Sequence, residues 1–216
     1  MGKRTDAKQK MVQAAKQLIR QRGYNGTAFS DVLELSGTSR GSVYFHFPGG
    51  KAQLALEAAE AHALEQVQII DRAAEQATSA AQLIEIYVGL GRDGMIAGDY
   101  GRGCCIAPLI TEGVTQESAE LAEAGRRGFS EITDRLAFHF AALGVAQAPA
   151  RVLAEAVIAG VEGAMITSRA LRSAAPYEAV RTVLVGHAEA VTVATTVPEN
   201  GVPVRPPARP AAGQPN

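Results

Sequence analysis

Between Phe29 and Lys51 the chain reads FSDVLELSGTSRGSVYFHFPGGK, and this stretch restricts the possible folds more than any other. Two short apolar-periodic runs flank Gly37, where a left-handed residue is needed to turn the backbone. Thr38 or Ser39 is placed to cap the second run. Pro48 stops it, because proline disfavours helical geometry in the residue before it. The second helix is therefore about two turns long. Val43 and Phe47, four apart, point into a small core. Arg40 with Tyr44, and Gly41 with Phe45, form rows on other sides, which leaves cationic and aromatic groups near the surface. A helix meant for the DNA major groove carries such groups near its N-terminal end. A small domain built for stability alone rarely exposes them.

Pro48-Gly49-Gly50-Lys51 then leads into a long alanine-rich helix. The two glycines leave backbone N–H groups uncovered at a helix N-terminus, a favourable seat for a phosphate. Lys51 opposes the helix dipole there, and a bound phosphate would remove that conflict. The alternative is a solvated lysine on a flexible turn.

The segment RQRGYNGTAFSDVLELSGTSRGSVYFHFPGGKAQL resembles the DNA-binding domain of TetR-family transcriptional regulators. Gly23-Tyr24, Thr27, Asp31-Val32, Ser36-Gly37, Gly41, Tyr44, His46-Phe47 and Lys51 to Leu54 carry the resemblance. The FPGGK turn is one residue longer than the family's commonest form and is similar to a branch of multidrug-resistance repressors related to LmrA. Ala28 departs from the family, which often has a capping Ser or Thr there. The resemblance implies that Thr27, Tyr44, His46 and Lys51 hold DNA phosphates. Arg40 is the best base reader, since it opens the second helix and its guanidinium can pair with guanine in two bonds. Gly41 permits close approach, Ser42 is placed for an adjacent contact, and Thr38 and Ser39 complete the expected DNA-facing set.

Charge points the same way. The first 51 residues hold nine Lys and Arg against three Asp and Glu, and the remainder holds twelve against nineteen. All five lysines, Lys3, Lys8, Lys10, Lys16 and Lys51, lie in that first part. Such a split fits a polyanion at one end only, or else a basic, solvated helix face. The 216 residues suffice for a real core, and 47% hydrophobic content with 5% aromatic and no Trp suits helices packed on helices. No run of about 18 apolar residues suggests a membrane span. The N-terminus MGKRTDAKQK lacks a signal peptide's apolar core, so a cytoplasmic protein with no membrane partner is expected. Cys104 and Cys105 are adjacent and suggest no disulfide framework.

An all-α protein is expected, with a helix-turn-helix DNA-binding domain over 1–50, a ligand-binding and dimerisation domain over 51–196, and a disordered Pro-rich tail over 197–216. The first helix is expected from Asp6, capped by Thr5, to Gln21, with Met11, Ala14, Ala15, Leu18 and Ile19 inside. The helix from Lys51 to Gln76 would span roughly 40 Å, with Leu54, Ala58, Ala61, Leu64 and Ala74 on its packed side. Helices follow over about 80–95, 116–143, 149–173 and 176–195. Pro108 argues against a long regular helix around the cysteines. Helical spacing and the family resemblance together place a ligand cavity at His62, Gln66, Tyr87, Cys105, Leu109, Phe129 and Met165. His62 and Gln66 could equally be a satisfied, half-buried pair.

In TetR-like proteins the last two helices pair with their copies, which implies a dimer interface at Gly160, Gly163, Ala164, Val180, Val183, Leu184 and His187. The alternative is that both helices are core. The function that follows is a repressor, binding double-stranded operator DNA as a homodimer and released by an apolar or drug-like small molecule. The ligand would act through the long fourth helix. No catalytic residue, cofactor or metal is expected. The alternative function is a thiol-based redox or electrophile sensor using Cys104 and Cys105.

Overall fold

Met11, Ala14, Ala15, Leu18 and Ile19 recur at helical spacing along the first helix and all five are buried. In the computed structural model, which describes residues 2–112 and 118–196, that helix is α1 (Gly2–Arg22). It begins earlier than the sequence suggests, so Thr5 lies within the helix rather than at its cap. The small apolar core formed with α2 (Phe29–Ser36) and α3 (Arg40–His46) includes Tyr24, Val32, Val43 and Phe47.

The turn between α2 and α3 follows from Gly37, whose φ of 64° is left-handed. Its N–H bonds the Glu34 carbonyl at 3.3 Å and the Thr38 N–H bonds the Leu33 carbonyl at 3.2 Å, closing the last turn of α2 in a Schellman-like arrangement. Ser39 occupies the N-cap position of α3, and the helix ends at His46, two residues before Pro48. Ala28 is the N-cap of α2 and supplies no side-chain cap bond.

α4 (Gly50–Gln76) leaves the head and runs into the second part of the molecule, packing on α1 at one end and on α7 (Ser118–Ala142) along its length. Alanines at 55, 58, 59 and 63 are buried and allow close approach. Leu64, expected on the packed side, is exposed. It lies out of phase with the buried row Ala59, His62, Ala63, Ile70 and Ala73.

The remaining helices are α5 (Ala80–Ala97), α6 (Ala107–Thr111), α8 (Gln147–Leu171) and α9 (Ala175–Thr196). Pro108 opens the short α6, where its missing N–H costs nothing. α5 packs on α9, α7 on α8, and α8 on α9. The α8–α9 contact depends on Gly160: a Cβ there would stand 2.9 Å from Val180 Cγ1. Among the described residues all regular structure is helical, and no helix is long and apolar enough to cross a membrane. The tail expected over 197–216 lies outside the described residues.

Candidate functional site

The face of α3 turned from the core carries Arg40, Gly41, Tyr44 and Phe45, all exposed. Tyr44 is 76% accessible and Phe45 64%. A Cβ on Gly41 would meet nothing within 4 Å, so a flat surface could come close there. Arg40 has no ion-pair partner among the described residues, whereas Lys8, Lys10, Lys16 and Arg22 pair with Glu57, Asp6, Glu65 and Asp31. The basic excess of the head is thus partly neutralised along α1. Ser39 is exposed beside Arg40, and Thr38 is half-buried with its hydroxyl 2.6 Å from that of Ser36. His46 is half-buried, its ring edge-on to Phe45 at 5.0 Å. The side chain of Ser42 lies outside the described residues.

Two expectations change in the head. Thr27 is buried at 3% exposure and its hydroxyl donates to the Gly23 carbonyl at 2.8 Å. It fastens the α1–α2 turn and does not reach outward to a phosphate. The glycine N–H groups before α4 are also engaged, Gly49 by Gln53 Oε1 at 3.0 Å and Gly50 by the Phe47 carbonyl at 2.9 Å. Lys51 lies half-buried with Nζ 4.5 Å above the Tyr24 ring and 3.4 Å from the Asn25 carbonyl. Its stem and charge are held against the α1–α2 turn, with one side of the ammonium group toward that backbone.

A cavity of about 210 Å³ lies within the second part, walled by α4, α5, α7, α8 and α9 and reached by α1. His62, Gln66, Tyr87, Phe129 and Met165 line it. The Tyr87 hydroxyl donates to Gln66 Oε1 at 3.3 Å. Cys105 and Leu109 do not line it; both are buried elsewhere in the core. Cys104 takes that place. The connection before α6 is bent, so consecutive side chains diverge, and Cys104 Sγ accepts the N–H groups of Ile106 and Ala107 at 3.2 and 3.4 Å. Burial raises both thiol pKa values, that of Cys105 to about 12. Reactive cysteines need the thiolate, and this environment suppresses it.

His62 is buried, and its Nδ1 has no hydrogen-bond partner, the nearest acid being Glu65 at 3.8 Å. Burial lowers its pKa below the ordinary histidine value. Among the lining residues that the sequence reading did not select are the charged Arg20, Glu65, Arg102 and Glu162, and Tyr177. Glu162 had a signal, being an acid among apolar positions next to the Gly160–Ala164 cluster. Burial raises its carboxyl pKa, with Cys104 and then Arg20 acting the other way. Arg20 belongs to α1, yet it exchanges two bonds with the connection before α6: Gly103 N–H to the Arg20 carbonyl at 2.7 Å, and Arg20 Nε to the Gly103 carbonyl at 2.8 Å.

The α8–α9 pair has a second face, turned away from the core. Val152, Ile166 and Leu171 on α8 and Val183 on α9 are each at least 60% accessible. Gly163 and His187 share this exposure, and a Cβ on Gly163 would meet nothing within 4 Å. Gly160, Ala164 and Leu184 belong instead to the packing within the chain, Ala164 and Leu184 being buried, and Val180 is half-buried against Gly160. The expected interface set therefore divides by helical phase.

Residues 11–58 match the family described as bacterial regulatory proteins, tetR family, and residues 80–183 match the transcriptional regulator LmrA/YxaF-like C-terminal domain. The chain is 34% identical over 177 residues to an uncharacterized HTH-type transcriptional regulator of Mycobacterium tuberculosis, covering 80% of this chain and 89% of that protein. It is 28% identical over 171 residues to the HTH-type transcriptional regulator LmrA of Bacillus subtilis, covering 79% and 90%. Among solved structures, the regulatory protein TetR from Rhodobacter sphaeroides superimposes with a TM-score of 0.74 at 23% identity, covering 84% of this chain and 98% of that one. A TetR-family regulator from Agrobacterium tumefaciens gives 0.72 at 26% identity, covering 86% and 98%.

Proposed function

The chain belongs to the TetR family of DNA-binding transcriptional regulators, with an LmrA/YxaF-like C-terminal domain, and from that premise we propose that it is a cytoplasmic, homodimeric repressor released from its operator by a small molecule. The observation that carries ligand control is Arg20, which sits on the first helix of the DNA-binding head and on the wall of the internal cavity. A molecule entering the cavity meets a residue of the head directly. A ligand shifts an equilibrium only through differential affinity for two states, and Arg20 offers a contact whose geometry differs as the head moves.

On DNA, Arg40 reads base edges near the start of α3, with Gly41 allowing close approach. Tyr44, His46 and Lys51 engage phosphates, and Ser39 stands at the backbone-facing edge of the same surface. Two copies meet through the outward face of α8 and α9, where Gly163, Val183 and His187 lie. Two-fold operators match two-fold proteins, so this interface sets the spacing of the two heads.

Fluorescence anisotropy with DNA from immediately upstream of the protein's own coding sequence, against a scrambled duplex, tests the DNA reading. The expected result is a protected two-fold symmetric site bound by a dimer, with preference for the authentic sequence that Arg40→Ala diminishes. Equal affinity for both duplexes across a salt series would refute specific operator binding at this site. Release from the operator by a compound that protects the protein thermally tests the ligand-responsive part.

A further inference from the structure

Two arginines stand on the cavity wall without a carboxylate of their own. Arg20, on α1, and Arg102, on the connection before α6, both line the cavity, and neither has an ion-pair partner among the described residues. The Arg20 Nε–H goes to the carbonyl of Gly103, the residue after Arg102, at 2.8 Å, which brings the two guanidinium-bearing segments together. The same two arginines line an outer cleft of about 380 Å³ with Gln13, Lys16 and Gln17, and no acid among the described residues borders that cleft. The acids on the cavity wall are otherwise engaged. Glu65 Oε2 pairs with Lys16 Nζ at 3.0 Å. Glu162 is half-buried beside the Cys104 thiol, its carboxyl pushed toward the neutral acid by burial, with Arg20 beyond 4.0 Å. Even with Glu162 ionised, Lys16, Arg20 and Arg102 outnumber Glu65 and Glu162 by one. His62 adds a buried Nδ1 with no hydrogen-bond partner, and one tautomer of the neutral ring donates from that atom.

Building on the ligand-responsive reading above, we infer that the cavity takes a compact apolar carboxylate, its anionic end at Arg20 and Arg102 and its hydrocarbon body against Phe129, Ile132 and Met165. Guanidinium groups hold carboxylates by charge-assisted, often paired, hydrogen bonds. The carboxylate supplies the charge that the wall lacks and acceptors for the His62 ring. An amine would add a further cation beside two unpaired ones, and a neutral amide would dehydrate the arginines without a counter-ion. Because Arg20 belongs to the first helix of the head and Arg102 to the second part of the molecule, one anion held by both ties the two parts at their joint. The volume of about 210 Å³ is below the range usual for drug-sized ligands, so a body of about one ring fits and a polycyclic one does not without enlargement.

Three probes of matched shape test this on the full-length protein: 3-phenylpropionate, 3-phenylpropionamide and 3-phenylpropylamine, by titration calorimetry with wild type, Arg20→Gln and Arg102→Gln. The carboxylate should bind wild type at least about tenfold more tightly than the amide or the amine, as charge-assisted bonds would give. Acetate, which lacks the body, should bind at least about tenfold more weakly than 3-phenylpropionate. Arg102 is exposed and Arg102→Gln should keep the fold while weakening the carboxylate by about fivefold or more and leaving the amide within about twofold. Arg20→Gln should bring carboxylate and amide within about twofold of each other, and Arg20→Lys should restore part of the preference. The wild-type and Arg102→Gln comparisons stand even if Arg20→Gln misfolds. Equal binding of carboxylate and amide, preference for the amine, acetate as tight as 3-phenylpropionate, binding of none of the probes, or a carboxylate preference untouched by Arg102→Gln would each overturn the inference. If the carboxylate fails but a chemically different compound releases operator DNA, ligand control stands and only the carboxylate assignment falls. If the carboxylate binds as expected while operator DNA stays bound, the carboxylate assignment stands and release by this ligand falls.

Discussion

Replacing Val183 by Asp should dissociate the dimer and leave each protomer folded. Val183 is 69% accessible on α9 and contributes little to the core of its own chain. Full burial of a valine side chain contributes at least about 1.5 kcal/mol, so covering the accessible two-thirds is worth about 1 kcal/mol per protomer. A two-fold interface carries the residue twice, giving about 2 kcal/mol per dimer. Losing that amounts to about thirtyfold in the dimer dissociation constant. Moving two carboxylates out of water adds to the cost, so thirtyfold is a lower bound. Sedimentation equilibrium over a dilution series reads the constant, and circular dichroism checks that helix content is kept. Gly160→Leu is the contrast, because a Cβ there already stands 2.9 Å from Val180 Cγ1 inside the same chain. That variant should lose about 1–3 kcal/mol of folding stability through overpacking. A Val183→Asp protein with normal helicity and a wild-type dissociation constant would refute the α8–α9 face as the interface.

Arg40→Ala should weaken operator binding by about 1–3 kcal/mol and relax preference at one base position, read by titration against single-base operator variants. Lys51→Ala should weaken binding to all sequences alike and reduce the salt slope by about one, measured over a salt series; an unchanged slope would leave Lys51 as a packing residue over Tyr24. His62→Gln should flatten the acid limb of stability. Burial lowers the folded-state pKa of His62, so the unfolded chain takes up its proton first and stability falls as pH drops below the unfolded value of about 6.5 toward the folded one. Melting temperatures between pH 8 and pH 5 should therefore fall less steeply in the variant than in wild type.

The head was legible because its constraints are local. Gly37 needs a left-handed turn, Pro48 ends a helix, and the spacing of Val43 and Phe47 fixes the inner side of α3 and hence the outer one. Around the cavity, the family resemblance supplied the location and helical spacing the side; His62, Gln66, Tyr87, Phe129 and Met165 line it, each on a long helix whose phase can be extrapolated. Spacing failed at Cys105 and Leu109, where the irregular connection before α6 offers no phase. Arg20 was missed because its cavity contact crosses from α1 to the other end of the fold. On α8 and α9 the small and apolar residues serve two opposite faces. Gly160 faces Val180 within the chain and Gly163 faces outward, three residues away. Composition alone does not separate them; only the position of α9 does.

The attachment of the head also alters how a ligand could act on it. A long α4 by itself suggests a lever, with the head carried at its end. The last carbonyls of α1, however, are capped by the second part of the molecule: Arg20 by the Gly103 N–H, and Gln21 by the Arg169 guanidinium at 2.6 Å. Beyond α1, the Asn25 N–H is held by Glu112 Oε2 at 2.8 Å and the Asn25 amide by the Glu112 carbonyl at 3.1 Å. Terminal helix carbonyls need partners, so displacing the 98–112 connection would leave the end of α1 unsatisfied unless the head moved with it. That connection is itself held in an uncommon shape. Asp99 and Tyr100 are consecutive non-glycine residues at φ 48° and 55°, with Arg172 bonded to Asp99 at 2.7 Å and lying over the Tyr100 ring. Left-handed geometry at such residues persists only where the surroundings fix it. Cys104, one residue beyond Gly103, lies on the cavity wall beside Glu162. A ligand that shifts Glu162 or Cys104 therefore has a path to α1 of two residues and two hydrogen bonds, much shorter than the route along α4.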